Sequence, residues 1–212
     1  PFEVASIDAL VISHAHIDHI GRVPLLVKRG FRGPIFAQQA TADLMPIMLL
    51  DSASLAESDA ERFNRRRAHG EPERQPLYTK DDVADAMEFV RPLAYDTRDA
   101  ILAGIDINFR DAGHILGSSI VELWADGRKI VFSGDLGQPG HPLMRDPAFV
   151  EQAAVLVMES TYGNRDHPAL EDVQGRLAEI VRETAARGGR LLIPAFAVGR
   201  TQERVYDLHA LA

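Results

Sequence analysis

An α/β fold is what this 212-residue sequence predicts, and three observations carry the prediction. Short, β-branched apolar runs alternate with longer stretches of helical character. The stretch from Ile105 to Phe132 reads as successive strands closed by an Asp-Gly turn. Histidines and carboxylates gather directly after the strand-like runs, where an α/β sheet presents its functional loops.

The elements follow in order. Residues 7–13, centred on Leu10-Val11-Ile12, form a buried strand, and a helix is expected from about Asp18 to Lys28, with Gly30 past its end. Pro34-Ile35-Phe36-Ala37 is a short strand. Thr41 is placed to cap a long helix to about His69, with Pro46 near its first turns and Gly70 as terminator. After a proline-bearing loop, Thr79 and Asp82 form a capping box for a helix to Phe89. Strands then run over 105–109, 119–124 and 129–133, the last two joined through Asp126-Gly127. A strand over 153–158, a helix from about Leu170 to Arg187, the breaker Gly188-Gly189 and a strand Arg190–Ile193 complete the pattern. No internal repeat or low-complexity tract interrupts it.

The run His14-Ala15-His16-Ile17-Asp18-His19 holds three of the chain's eight histidines and a carboxylate. In extended chain, residues i and i+2 face the same way, so His14 and His16 can reach one metal from one side. Asp18 and His19 point elsewhere and can address a second metal. Imidazole and carboxylate are the donors that zinc accepts in catalytic sites. Further along, His114 stands in the glycine-flanked turn Asp111 to Ser118, and Asp135 between Gly134 and Gly137 at the end of a strand. Taken singly, these would be a core histidine and a turn carboxylate. Beside the first cluster, both read as ligands delivered by strand ends, with glycines letting the backbone crowd an ion.

The run HAHIDHIG resembles the HxHxDH signature of the metallo-β-lactamase superfamily. Position by position, the resemblance implies that His14, His16 and His114 hold a first zinc, that Asp18 and His19 serve a second, and that Asp135 bridges the two. Val155 to Arg165, with Glu159 at its centre, resembles the strand and turn that carry the acidic residue of the β-CASP nucleases. Ile193 to Glu203 is similar to the opening of their inserted domain. The stretches Glu57–Arg67 and Pro76–Thr79 also look like bacterial members of that branch.

The fold implied is the metallo-β-lactamase αββα sandwich over residues 1–165, with the beginning of an inserted β-CASP domain over 166–212. The activity implied is zinc-dependent hydrolysis of RNA, endonucleolytic or 5′-exonucleolytic. A metal-bound hydroxide would attack the phosphodiester, with Asp18, Asp135 and Glu159 as catalytic carboxylates. Glu159 taken by itself would be a solvated strand-end carboxylate. The partner implied is single-stranded RNA, and a homodimer is left open.

Family members carry an earlier hairpin with a supporting Asp and two C-terminal histidines that have no counterpart here. The chain is therefore expected to be the middle of a longer protein, with the second zinc site incomplete. His209, in an apolar helix pattern, is not taken as the missing ligand. Two other readings belong to different classes: a thioester or lactam hydrolase on the same platform, and a non-catalytic RNA-processing subunit. A redox di-iron centre is disfavoured by the order His-x-His-x-Asp-His.

Charge and composition agree. The formal net charge of −8 argues against a protein that coats nucleic acid, but not against a nuclease whose cations are local. Arg62, Arg65, Arg66 and Arg67 lie among acids and read first as a solvated helix face, second as an RNA contact. Arg200 follows Gly199 at a helix start, where backbone N–H groups and a cation suit a phosphate. His69, His141 and His167 read as surface or loop residues. Zero cysteines exclude disulfides and thiolate ligands and fit a reducing, cytoplasmic setting. No apolar run is long enough to span a membrane.

Overall fold

The structure is a computed structural model that describes residues 2–166 and 170–211, with backbone alone at 170–173. His167 lies outside the described residues. The chain divides into two compact units, Pro1–Met158 and Glu159–Ala212.

The first unit holds two sheets. Strands β1 (Leu10–Ile12), β2 (Ile35–Gln38) and β3 (Val90–Leu93) form a parallel sheet in the order β1-β2-β3. Strands β4 (Asp99–Leu102), β5 (Ile105–Asp111), β6 (Ser119–Ala125), β7 (Arg128–Phe132) and β8 (Val155–Val157) form a second sheet in sequence order. It is antiparallel as far as β7, and β8 joins it parallel.

Side-chain alternation along the strands builds the layers. From the first sheet, Ile12, Ile35 and Ala37 face helices α1 (Ile17–Ile20), α2 (Val23–Lys28), α3 (Gln39–Arg66) and α4 (Lys80–Met87), in a core with Phe31, Met45, Leu49 and Val83. Val11, Phe36 and Leu93 point the other way, onto Ile107, Phe109 and Val121 of the second sheet. Helices, sheet and sheet thus give three of the four layers of the expected sandwich within this unit.

Several elements differ from their sequence-based bounds. The single helix expected over 18–28 is two, because the chain breaks at Gly21-Arg22 and Pro24 restarts it in the first turn. Thr41 does not cap α3. The Gln38 side chain does so, accepting from Ala40 N at 2.7 Å, while Thr41 is buried and donates its hydroxyl to Gly117 O at 2.7 Å. The Thr79–Asp82 capping box forms as expected. Strands β3 and β4 are additions that the pattern did not reveal; Pro92 within β3 masks the first.

In the second unit, α5 (Leu170–Ala186) and α6 (Arg200–Ala210) are helical, but Arg190–Ile193 is not a strand. An extended apolar run becomes a strand only through ladder partners, and no described strand pairs with it.

Candidate metal centre

Three segments converge at one end of the first unit. Chain leaving β1 stays extended through His16, whose φ of −65° and ψ of 147° precede the first turn of α1. His14 and His16 are thereby set on one side, while Asp18 and His19 enter a helical turn. That turn brings His19 back, its ring centroid 4.0 Å from that of His14. His19 stays outside the group that His14 and His16 join, and a helical turn rather than extended chain sets its place after His16.

The loop from β5 to β6 delivers His114. Ser118 Oγ accepts from His114 N at 3.0 Å and from Ile115 N at 3.2 Å, and Asp111 Oδ1 accepts from Gly113 N at 2.9 Å. Ser119 N donates to Ser13 O at 2.8 Å, which ties this loop to the end of β1. Gly117, at φ +82°, packs so closely that a Cβ there would lie 2.4 Å from Thr41 N. Tyr95 donates its hydroxyl to Ser118 O at 2.7 Å. Burial, then the Asp111 charge, pushes the Tyr95 phenol up, so it remains a donor at neutral pH.

Asp135 follows β7. Gly134, at φ +55°, leaves room for Ser13, whose Cβ would stand 3.0 Å from a Cβ at that glycine. A Cβ on Gly137 would collide with Gly113 O at 1.8 Å, so the third segment lies directly on the second.

Among the described residues, one group of ligand-type side chains draws together: His14, His16, His114 and Asp135, with one donor atom of each within 4.8 Å of the others. His16 Nδ1 is 3.1 Å from His114 Nε2, and Asp135 Oδ2 is 3.7 Å from both His14 Nε2 and His114 Nε2. A tetrahedral ion with bonds of about 2.0–2.1 Å sets its ligands roughly 3.3–3.4 Å apart, so these separations suit one metal.

His14 is fully buried, with Nδ1 3.2 Å from Ser13 Oγ. Its Nε2 faces the group without a hydrogen-bond partner. Burial, then the neighbouring His19, His114 and His16, lowers the His14 pKa to about 2. The ring is therefore neutral, with a lone pair available to a cation. A buried orphan nitrogen is costly unless something satisfies it, and a metal does.

The other oxygen of Asp135 meets a different side chain. Asp135 Oδ1 is 3.3 Å from His19 Nε2, which is in turn 3.4 Å from Asp18 Oδ2. Asp18, His19 and Asp135 could hold a second ion, on the more open side, where the Asp18 side chain is 75% exposed.

The remaining candidates lie elsewhere. Glu159 opens the second unit, half-buried, at the head of a turn in which Tyr162 takes φ +58°. Arg200, exposed, is the first residue of α6 behind Gly199. Arg62 pairs with Asp59 at 4.0 Å and Arg67 with Glu73 at 3.1 Å, as a solvated face would. His69 is exposed, and His141 lies in a loop where its Nδ1 accepts from Leu143 N at 3.2 Å. Sequence reasoning missed the supports Ser13 and Tyr95, which carry no local signal, and the capping role of Ser118 within a stretch it did single out.

The chain is similar to ribonuclease TTHA0252 of Thermus thermophilus, 35% identical over 208 residues, covering 98% of this chain and 44% of that protein. It is 37% identical over 208 residues to the transcription termination factor FttA of Methanosarcina mazei, covering 95% and 30%. An RNase J-like protein of Methanocaldococcus jannaschii is 33% identical over 201 residues, covering 93% and 42%. The chain thus spans less than half the length of these relatives. A profile of the metallo-beta-lactamase superfamily matches residues 2–186, so the chain belongs to that superfamily.

Proposed function

We propose that this chain carries the metal centre of a zinc-dependent ribonuclease of the β-CASP branch, with single-stranded RNA as substrate. One observation supports it above the rest. The two oxygens of Asp135 face two separate sets of donors, His14 and His114 on one side and His19 on the other. A carboxylate so placed suits a bridge between two ions. The relatives named ribonuclease and RNase J-like direct the same platform toward RNA.

In this reading His14, His16 and His114 hold the first zinc, Asp18 and His19 contribute to the second, and Asp135 serves both. Bound there, zinc supplies Lewis acidity and lowers the pKa of water to roughly 7. The residues do the rest. His14, kept neutral by burial, offers its nitrogen at neutral pH without first losing a proton. With zinc bound, Asp135 would lend its negative charge to both sites. Glu159 acts as a positioning carboxylate, and Arg200 contacts a phosphate from the start of α6. Residues 166–212 form the opening of the β-CASP domain, and the protein works in the cytoplasm. Among the described residues no helix is long and apolar enough to cross a membrane.

The test is cleavage of an end-labelled single-stranded RNA by the full-length protein with zinc, beside its Asp135→Ala variant. Cleavage lost in the variant is expected. Equal cleavage by both would overturn the proposal, as would hydrolysis of a thioester or lactam with RNA left intact. A second reading, on the same fold, is an RNA-processing subunit that binds without cutting. Binding of RNA with neither protein cleaving it would select that reading.

A further inference from the structure

A pocket of about 430 Å³ opens beside the metal centre, and Asp18 and His19 form part of its wall. Its remaining lining is largely apolar. Ile17, which stands between His16 and Asp18, is 42% exposed, and Leu77, across the pocket in the loop before α4, is 58% exposed.

Leu77 is not a loose surface residue. Its neighbour Tyr78 is 2% exposed and donates its hydroxyl to Ser52 Oγ at 2.9 Å. Thr79 follows, locked in the capping box with Asp82. The loop is pinned immediately after Leu77, so an apolar side chain is held exposed in the wall of the pocket. At the rim stands Arg22, exposed and without an acidic partner among the described residues.

An apolar slot with a cation at its mouth, sharing a wall with ligand-type residues, suits a flat base attached to a phosphate. Bases drawn out of a stack are held between apolar or aromatic side chains, and arginines hold the backbone beside them. The volume lies within the usual range of small-ligand sites, roughly 300–1,000 Å³. We infer that this slot holds the base of the nucleotide next to the scissile phosphodiester, with Leu77 and Ile17 as its walls and Arg22 on the adjoining phosphate. The inference rests on the ribonuclease reading and assigns specificity to residues outside the metal centre.

The experiment uses the full-length zinc-loaded protein and a short single-stranded RNA cut at one bond. Abasic residues are placed singly at each nucleotide around that bond. For the unaltered protein, one abasic position is expected to lower kcat/KM by about tenfold, the scale of one stacked base. Leu77→Ala is expected to lower kcat/KM on intact RNA to a similar extent and to erase the abasic penalty. Arg22→Ala is expected to raise KM and to become insensitive to a neutral methylphosphonate at one neighbouring position. The Arg22 pair of measurements stands even if Leu77→Ala fails to fold. If no abasic position matters, or if both variants pay the full substrate penalties, the slot is not a base subsite. Absence of any RNA cleavage by the unaltered protein would instead overturn the ribonuclease reading, and this inference with it.

Discussion

His16 Nδ1 lies 3.1 Å from His114 Nε2 although 98 residues separate them in the chain. Two strand ends and the Ser119–Ser13 backbone bond force that approach. Three histidines and a carboxylate held this close, with His14 wholly buried, suit one cation. Loss of one donor should therefore remove the metal itself. Altering residues that merely support a ligand typically costs metal sites about 10–100-fold, so His16→Ala should cost more than a hundredfold in metal affinity, and RNA cleavage with it. Metal content after dialysis and initial cleavage rates check both, and His16→Ala retaining full metal would argue against the assigned ligand.

Metal removal also exposes a pH dependence. The His14 pKa falls to about 2 in the folded state, against an ordinary value of 6.5, because burial and three neighbouring histidines oppose its charge. Below pH 6.5 the unfolded chain takes up a proton that the folded chain refuses. Stability from this group is therefore complete above 6.5 and declines as pH falls toward 2. The slope approaches about 1.4 kcal/mol per pH unit for one proton. Denaturant midpoints measured in chelator at pH 7.5, 6.5 and 5.5 should fall over the last interval. A flat profile would mean that His14 does not remain neutral.

How much of this was legible follows from where the signals lie. His14, His16, Asp18 and His19 are close in sequence, so their convergence needs only a strand and a turn, and both are local. His114 and Asp135 carried a signal in their glycines, which the backbone contacts of Gly117, Gly134 and Gly137 explain. Strand β3 gave none, because Val90-Arg91-Pro92-Leu93 becomes a strand only by pairing with β2. The same dependence on tertiary partners leaves Arg190–Ile193 outside the described strands. Thr41 misled because its hydroxyl serves Gly117 rather than its own helix. The pocket beside Asp18 was invisible, since Leu77 reaches it across the fold.

Gly117 offers a test of how the His114 loop is held. At φ +82° any side chain is strained, and a Cβ would press to 2.4 Å from Thr41 N, a backbone atom that cannot swing away. Gly117→Ala should destabilise the fold by about 2–4 kcal/mol, combining left-handed strain with a steric clash. Because the shift falls on the loop that carries His114, metal affinity should drop too. A variant with unchanged melting temperature and metal content would show that the loop does not depend on this contact.

The outer face of the second sheet carries a buried ionic group whose balance can be measured. The Glu122 side chain is 7% exposed and forms an ion pair with Lys129 on the neighbouring strand, while Asn108 Nδ2 donates to its other oxygen at 2.8 Å. Removing Lys129 alone leaves a desolvated carboxylate with one neutral donor. Lys129→Met should therefore cost about 3 kcal/mol, near the lower end for breaking a buried pair because Lys129 itself is 22% exposed. Replacing both, Glu122→Leu with Lys129→Met, removes the uncompensated charge but leaves the buried Asn108 amide without its acceptor, so it should restore only part of that loss. The double variant should thus be more stable than Lys129→Met alone in chemical denaturation. If it is less stable, Glu122 stabilises the sheet even without Lys129, through its bond from Asn108.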